Sequence, residues 1–264
     1  MTGWLHVGEG AAPLIVSVPH AGTDIPEGIS GLCSAALARH DADHHVGKLY
    51  AFAREMGATL VETAISRSVI DVNRDPSGAS LYPGQLTTGL CPVETFAGEP
   101  LYRAGQEPDE AEIARRRTYY FDPYHAALQA QIARLRAAHP VVVLYDAHSI
   151  RSHVPRLFAG GLPLFNIGSF GGASCAPGLT QAVAKECAGY SHVINGRFKG
   201  GWITRAYGNP AGGVHAVQME LAMRGYLDEE ADWPPVWDAT RAASLQPVLR
   251  QILSACLSFA KDQT

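Results

Sequence analysis

The chain has 264 residues, of which 47% are hydrophobic and 17% are charged, and its formal net charge is −4. This composition is typical of a globular protein, and the negative net charge argues against nucleic acid as a partner, because phosphates attract basic surfaces. No apolar run approaches the ~20 residues of a membrane span, so the sequence predicts no membrane partner.

Short runs rich in apolar and β-branched residues predict strands, because such residues pack well on a pleated surface. In chain order these runs are 13–18, 58–63, 68–72, 141–145, 162–167, 192–195 and 214–219. Helical periodicity predicts three helices, the second of them interrupted near Pro123. The predicted helices cover 43–56, 109–139 and 236–261.

The alternation of strands with helices predicts an α/β fold, in which helices cover both faces of a mostly parallel, twisted sheet. Residues 74–108 are rich in Pro, Gly and Tyr, and this segment is too long for a simple connection. We therefore expect a single domain over 1–264 with a long loop or lid insertion around 74–108. Ligands of such folds bind beyond the carboxyl ends of the strands.

The five cysteines are widely spaced and form no CxxC pair. An odd number of scattered cysteines is typical of reduced thiols and not of a disulfide framework or a zinc finger. Residues 1–13 lack the basic region followed by an apolar region that marks a secretory signal. We therefore expect a cytoplasmic protein, whose oligomeric state the sequence leaves open.

Two histidines follow apolar runs at the expected ligand-binding edge, His20 after PLIVSVP and His148 after VVVLYDA. Such imidazoles can converge on one cation, and catalytic zinc takes three protein ligands with N, O or S atoms. Asp43, at the start of a predicted helix, is the best third ligand. Three neighbours compete with it, namely Asp41, His44 and His45. From the residues alone, the alternative of two hydrogen-bonded loop histidines stays open.

One carboxylate, Glu220, lies in the apolar run VHAVQMELAM. An unpaired buried charge is costly, so we expect this side chain either to be desolvated or to meet a cation. Close to a metal and its water it would be a general base. The competing interpretation places Glu220 at the start of a helix, facing solvent.

The stretch 147–219 contains one acidic residue, Glu186, although the chain as a whole has 25. The same stretch is rich in glycine and contains a basic cluster that includes Arg197. Arginine binds a carboxylate through two parallel N–H groups, so several arginines can orient a dicarboxylate. The residues expected to bind a small anionic substrate are Arg67, Asn73, Arg74, Lys199 and Arg205.

The same basic residues allow two other interpretations. Asp71 and Asp75 could neutralise Arg67 and Arg74 in a structural ion-pair network. Nucleotide binding has little support, because there is no Walker sequence and no GxGxxG after the first predicted strand. There is also no GxSxG elbow that would present a nucleophilic serine.

Five segments together resemble the N-formylglutamate deformylases, also called N-formylglutamate amidohydrolases. They are SVPHAG, DADHHV, SRSVIDVNRDPSG, YDAHSIRS and NGRFKGGWITRAYGNPAGGVHAVQMELA. The similarity runs in order from about residue 13 to residue 226 and is most specific in the last segment. It implies hydrolysis of N-formyl-L-glutamate to L-glutamate and formate in histidine degradation. It also implies a phosphorylase/hydrolase-like fold akin to zinc exopeptidases.

A more distant resemblance to zinc-dependent N-acetylmuramoyl-alanine amidases implies roles for individual residues. By this analogy His20, Asp43 and His148 would bind one zinc ion per chain, and Glu220 would be the base. His215 is a further expected catalytic residue, as a donor to the oxyanion.

The sequence departs from the deformylase pattern at two positions. His44 stands where an aromatic residue is usual, and Ala206 stands where a histidine is usual. The first departure bears on the third ligand and the second on substrate contacts. The alternatives are a related metalloenzyme acting on another N-acyl amino acid, an iron dioxygenase, and a non-catalytic binder of small dicarboxylates.

Overall fold

The computed structural model describes residues 3–230 and 233–262, and its centre is a seven-stranded sheet. The strands are β1 (Leu5–Gly8), β2 (Leu14–Val18), β3 (Thr59–Thr63), β4 (Val142–Ile150), β5 (Phe165–Gly168), β6 (His192–Ile194) and β7 (Val214–Ala222). The α-helices are α1 (Ala35–Arg39), α2 (Val46–Leu49), α3 (Glu110–Arg116), α4 (Asp122–Arg136), α5 (Pro177–Glu186), α6 (Trp202–Tyr207) and α7 (Ala239–Asp262).

The strand order across the sheet is β1-β3-β2-β4-β7-β5-β6. The central strands β3, β2, β4 and β7 are parallel neighbours. At one edge β1 pairs antiparallel with β3, and at the other β5 and β6, parallel to each other, run antiparallel to β7. The predicted mostly parallel sheet is confirmed.

The side chains of β4 alternate between two hydrophobic cores. Val143, Tyr145 and Ala147 belong to a core shared with α2, α5 and α7. Val142 and Leu144 face the opposite core, which α4 and α6 cover. All nine residues of β4 are buried, as expected for a parallel strand between two helical layers. The prediction of helices on both faces is therefore also confirmed.

Every predicted strand except 68–72 is present, several with shifted bounds. The strand prediction for 68–72 is wrong, because this segment forms turns and loop. Its side chains Val69, Ile70 and Val72 are buried in the core beneath α4. The run is therefore apolar because it is covered by a helix, and not because it pairs in the sheet. The edge strand β1 was not predicted.

The helix predicted at 43–56 is reduced to α2 and a 3-10 turn at Ala51–Arg54. His45 precedes α2 with a φ of 63°, in the left-handed region, so the helix cannot extend back to Asp43. The Asp43 side chain is thereby placed in a loop beside the sheet.

The helix predicted at 109–139 begins as expected, since the carboxylate of Asp109 accepts a hydrogen bond from the backbone N–H of Glu112. A π-helical turn at Arg117–Phe121 separates α3 from α4. Pro123 explains this turn, because a proline removes one helical hydrogen bond and its ring clashes with the carbonyl four residues earlier. The predicted interruption near Pro123 is confirmed.

Residues 74–108, all described, contain no helix or strand. Part of this segment lines the cavity described below. Its role as a lid stays a prediction. The single-domain organisation also stays a prediction. Among the residues described, no helix combines the length and the apolar character needed to cross a membrane.

Candidate metal centre and substrate cavity

Neighbouring parallel strands supply the polar side chains at the centre of the site. In the register of β4 and β7, His148 lies opposite Glu220 and Asp146 lies opposite Gln218. Because side chains alternate along a strand, all four share the α4 face of the sheet, which is apolar nearer the start of both strands. The polar site therefore lies towards the carboxyl ends of the strands, where such folds bind ligands.

Three potential metal ligands converge at this edge. Ligand atoms of His20, Asp43 and His148 all lie within 4.8 Å of one another, and all three residues are buried. Asp43 Oδ2 is 3.1 Å from His148 Nδ1 and 3.8 Å from His20 Nδ1. The backbone N–H of Asp43 donates to the carbonyl of His20 at 2.9 Å, which fixes the loop before α2 against the residues after β2.

A carboxylate contacts the opposite nitrogen of each imidazole. His20 Nε2 is 2.6 Å from Asp71 Oδ1, and His148 Nε2 is 2.9 Å from Asp146 Oδ2. When Nε2 carries the proton and donates it to a carboxylate, the lone pair of Nδ1 is available to a metal.

The ligand atoms of these three residues are suited to binding a metal ion. His20 Nδ1 is buried and has no hydrogen-bond partner among the described residues, so a cation bound there would satisfy it. Two imidazole nitrogens and one carboxylate oxygen are ligands that catalytic zinc takes, with a fourth position left for water or substrate. The residues therefore fit a zinc ion.

Burial and charge set the protonation of the two histidines. Burial lowers the pKa of His20 to about 4, so its ring is neutral, as a metal ligand must be. Burial acts on His148 in the same direction, but the carboxylates of Asp146 and Asp43 outweigh it and raise its pKa well above the ordinary value. These carboxylates favour positive charge beside His148, carried either by a proton or by a metal cation.

Arg67 compensates the negative charge around the ligands. Its Nη2 is 2.7 Å from Asp71 Oδ2, and its Nη1 is 3.3 Å from Asp43 Oδ1. Burial would raise the pKa of Asp71, but Arg74, His20 and Arg67 outweigh it and hold this pKa well below its usual range. The ion pair between Arg67 and Asp71 that the alternative interpretation expected is thus present, although Arg67 also lines the cavity.

Asn73 links the site to the glycine pair that precedes α6. Its Nδ2 donates to Asp146 Oδ2 at 3.0 Å, while its Oδ1 accepts from the backbone N–H of Ile203 at 2.8 Å. A Cβ atom on Gly201 would lie 2.4 Å from Asn73 Nδ2, so glycine is required for this approach. Gly200, with a φ of 113°, adopts a conformation that other residues rarely reach.

A cavity opens above these ligands. His20, His148 and Glu220 are among its walls, and Arg67, Arg74 and Arg197 supply its positive charge. Apolar and aromatic side chains complete the lining, namely Tyr82, Leu86, Phe96, Ile150, Leu157 and Phe198. The cavity therefore combines a candidate metal centre, one carboxylate and three guanidinium groups.

Glu220 lies within β7 and not at the start of a helix, so the solvent-facing interpretation is wrong. Burial raises the pKa of its carboxyl group to about 8. The nearest hydrogen-bond donor described is Gln218 Nε2, at 3.4 Å from Oε2. A divalent cation at the neighbouring ligands would oppose this shift and favour the carboxylate form, in which Glu220 can accept a proton.

Two of the predicted substrate-binding residues lie outside the cavity lining. The side chain of Lys199 is exposed. Arg205 donates from Nε to the carbonyl of Gly200, and its guanidinium stacks between the rings of Tyr82 and Phe170 at 4.9 and 4.5 Å. Arg205 therefore fastens the loop that carries Tyr82 to α6.

His215 also lies away from the cavity. It occupies the opposite face of β7 from Glu220 and five positions before it, a separation of about 16 Å along a strand. Its Nδ1 accepts a hydrogen bond from the backbone N–H of Ala176, and its ring packs against Phe259. His215 therefore cannot donate to an oxyanion beside Glu220.

The alternative third ligands have other partners. Asp41 accepts a hydrogen bond from the backbone N–H of Phe96, and the ring of His44 packs edge-on against Trp233. His45 Nε2 bonds to the carbonyl of Pro235. Among these candidates, only Asp43 lies in the cluster with His20 and His148.

Sequence reasoning missed three residues at the site. Asp146 precedes His148 by two positions, so the alternation of a strand could have placed both on one face. Asp71 was considered only as a partner of arginine, and its contact with His20 joins segments far apart in the chain. Arg197 was recognised as basic but not as a cavity residue, because the direction of a loop side chain has no sequence signal.

The comparisons with known proteins agree with this geometry. A family model described as N-formylglutamate amidohydrolase matches residues 12–227. The N-formylglutamate deformylase of Pseudomonas putida is 46% identical over 259 residues, covering 97% of this chain and 96% of the relative. The enzyme of the same name from Pseudomonas aeruginosa is 45% identical over 258 residues, covering 96% of each chain.

Solved structures show the same fold. The crystal structure of an N-formylglutamate amidohydrolase from Ralstonia eutropha superposes with a TM-score of 0.81 at 25% identity, over 99% of both chains. A gene product of Agrobacterium tumefaciens has a TM-score of 0.70 at 21% identity, over 98% of this chain and 96% of that one. With a matching family model and two near full-length relatives, the chain belongs to the N-formylglutamate amidohydrolase family of enzymes.

Proposed function

We propose that this chain hydrolyses N-formyl-L-glutamate to L-glutamate and formate, with one zinc ion bound by His20, Asp43 and His148. The observation that carries the proposal is the buried three-ligand cluster at the floor of an arginine-lined cavity. The names of the two Pseudomonas relatives support the substrate. The unpartnered Nδ1 of His20 supports the metal.

Glu220 would transfer the proton that the attacking water releases. When bound, zinc would supply a Lewis acid for the formyl carbonyl and the attacking water. Glu220, beside His148 in the register of the sheet, would take a proton as the water oxygen bonds to the formyl carbon. The C–N bond then breaks, and Glu220 returns the proton to the departing amine. Water and amide thereby give formic acid and a free amine, and transfer of the acid proton to that amine yields formate and an ammonium group.

The surrounding residues would orient the ligands and the substrate. Asp71 and Asp146 would hold the two imidazoles so that Nδ1 of each faces the cluster. Arg74 lines the cavity and is held by hydrogen bonds to the carbonyl and the hydroxyl of Thr88, so it can present a fixed guanidinium to the substrate α-carboxylate. We propose that Arg205 and Lys199 act on substrate binding indirectly, since their backbone and side-chain contacts fasten the loop of Tyr82.

Formate release from N-formylglutamate, measured before and after chelation and then with added zinc, tests the proposal. We expect equal amounts of formate and glutamate, loss of turnover on chelation, and recovery with zinc. His148→Ala should lose bound zinc, whereas the control His192→Ala, which changes an exposed residue of β6, should retain it.

The outcomes separate the competing functions. Turnover that is faster on N-acetylglutamate would replace the formyl substrate with another N-acyl amino acid. Tight binding of N-formylglutamate without release of formate would replace the enzyme with a dicarboxylate binder. Full zinc occupancy in His148→Ala would overturn the metal assignment.

A further inference from the structure

Arg197 is a half-buried cation in the cavity wall that lacks an acidic partner among the described residues. It lies in the loop between β6 and α6, and no described carboxylate is within ion-pair distance of it. Its Nε donates to the carbonyl of Leu157 at 3.0 Å and its Nη2 to the carbonyl of Leu86 at 2.9 Å. Neutral carbonyls hold the guanidinium in position, and no ion pair among the described residues neutralises its charge.

The other two arginines of the cavity differ from Arg197 in this respect. Arg67 pairs with Asp71 and Asp43, as described above. Arg74 Nη2 lies 3.5 Å from Asp71 Oδ2. Burial of a cation is unfavourable and lowers the pKa of Arg197, although the charge of Glu220 across the cavity acts in the opposite direction. An anion that enters the cavity would relieve this cost most at Arg197.

The groups around Arg197 fit a carboxylate at the end of a short aliphatic chain. Its guanidinium lies 5.6 Å from the ring centre of Tyr82 and 5.5 Å from that of Phe198. Leu157 and Ile150 line the same cavity, so methylene groups of a ligand would find apolar contacts beside the charge. Nη1 of Arg197 has no hydrogen-bond partner among the described residues and is free to bind an oxygen.

We propose that Arg197 binds the side-chain carboxylate of the substrate and selects acidic over neutral N-acyl amino acids. This inference rests on the proposed hydrolase function and adds the residue that sets its specificity. Arg197 is pre-oriented by the carbonyls of Leu86 and Leu157, which belong to loops far apart in the chain, so little order would be lost on binding. The α-carboxylate would remain with Arg74, nearer the metal ligands.

The effect of removing Arg197 follows from the contact it would lose. A charge-assisted hydrogen bond contributes enough that its loss lowers kcat/KM about 10- to 100-fold. This loss falls on N-formylglutamate and not on N-formylglutamine, whose side chain has nearly the same shape without the charge. The preference for the acidic substrate should shrink by the same factor.

The experiment compares kcat/KM for these two substrates in the parent, Arg197→Gln and Arg197→Lys. Arg136→Gln is the matched control, since Arg136 is also half-buried, bonds to a backbone carbonyl and has no acidic partner described, but lies at the end of α4 outside the cavity lining. We expect Arg197→Gln to lose the preference, Arg197→Lys to keep part of it, and the control to keep all of it.

Equal losses on both substrates in Arg197→Gln would assign Arg197 a purely structural role and overturn the inference, as would an unchanged preference. If Arg197→Gln fails to fold, Arg197→Lys decides, because it keeps the charge but lacks the planar guanidinium that the two carbonyls hold in position. A preference in that variant equal to the parent's would overturn the inference. A parent that releases formate from neither substrate would instead refute the proposed function.

Discussion

Replacing Asp146 by asparagine should weaken metal binding without leaving a cavity in the core, because the two side chains have the same size. The carboxylate accepts hydrogen bonds from Ser17 Oγ at 2.9 Å and Asn73 Nδ2 at 3.0 Å, and it lies 2.9 Å from His148 Nε2. Asparagine has the same shape but only one acceptor oxygen. If that oxygen keeps the bond from Ser17, an amide NH₂ faces the donors of Asn73 and His148.

The size of the expected loss in metal affinity follows from the tautomer of His148. With a donor opposite Nε2, the favoured neutral ring carries its proton on Nδ1, the atom that faces Asp43, and must exchange it before binding a metal. Loss of such a carboxylate typically lowers metal affinity 10- to 100-fold, about 1.4 to 2.7 kcal/mol. The same substitution removes an oriented ligand during turnover, so activity at limiting zinc should fall at least as far.

Zinc affinity is measured by competition with a chromophoric chelator, and folding by urea denaturation of the metal-free protein. Asp41→Asn is the control. The Asp41 side chain is also a largely buried carboxylate near the site, but it accepts a hydrogen bond from the backbone N–H of Phe96. We expect weakened zinc binding in Asp146→Asn and parental binding in Asp41→Asn. Unchanged affinity in Asp146→Asn would refute the reasoning, and a loss in Asp41→Asn would reopen the choice of third ligand.

Two further predictions concern single side chains. Glu220→Gln should keep its zinc but lose 10²- to 10⁴-fold in kcat, since it removes the proposed base and not a ligand; metal analysis beside kinetics checks this. His125 donates to the carbonyl of Val72, and burial lowers its pKa to about 4, below the unfolded value near 6.5. Its contribution to stability is thus complete above pH 6.5 and is lost as pH falls towards 4, by roughly 3 kcal/mol. The stability difference between the parent and His125→Gln, measured by urea denaturation, should narrow over that window.

The core of the fold could be predicted because its strands are continuous apolar runs. β2 and β4 are buried along their whole length, so their sequences read as unbroken hydrophobic segments. The direction of β5 and β6 could not be predicted, because strand direction depends on the path of the connections and not on the strand residues. The short edge strand β1 is half-buried at its two ends and exposed between them, so it has no alternating pattern by which it could be found.

The site was predictable where it depends on strand ends. His20 and His148 both follow or end buried strands, and the convergence of such residues is a property of parallel sheets. The basic residues were harder to assign, because composition identifies positive charge but not the direction of a side chain. Arg205 and Arg197 come from the same segment, yet one stacks outside the cavity and the other lines it.

The segment 66–75 contains both the wrongly predicted strand and residues that lie at the candidate site. Its apolar residues Val69 and Ile70 pack in the core under α4, whereas Arg67, Asp71 and Asn73 turn towards the ligands. In a regular strand the side chains would also point alternately to two faces, but the backbone would form hydrogen bonds with a neighbouring strand of the sheet. Here the Asp71 carboxylate instead accepts the backbone N–H of Asn73, so the chain turns across the ends of β2 and β4.

This arrangement makes the candidate metal centre depend on helix packing at a distance. α4 anchors the segment twice, through the core beneath it and through the hydrogen bond from His125 to Val72. Loosening that anchor would move Asp71 and Asn73 together, and with them the partners of both imidazoles. The π-helical turn before α4 fits this requirement, since it lets the helix accommodate Pro123 while Phe121 stacks on His125 at 4.1 Å. The side chains that contact the two imidazoles therefore depend on packing beneath α4 as well as on contacts within the cavity.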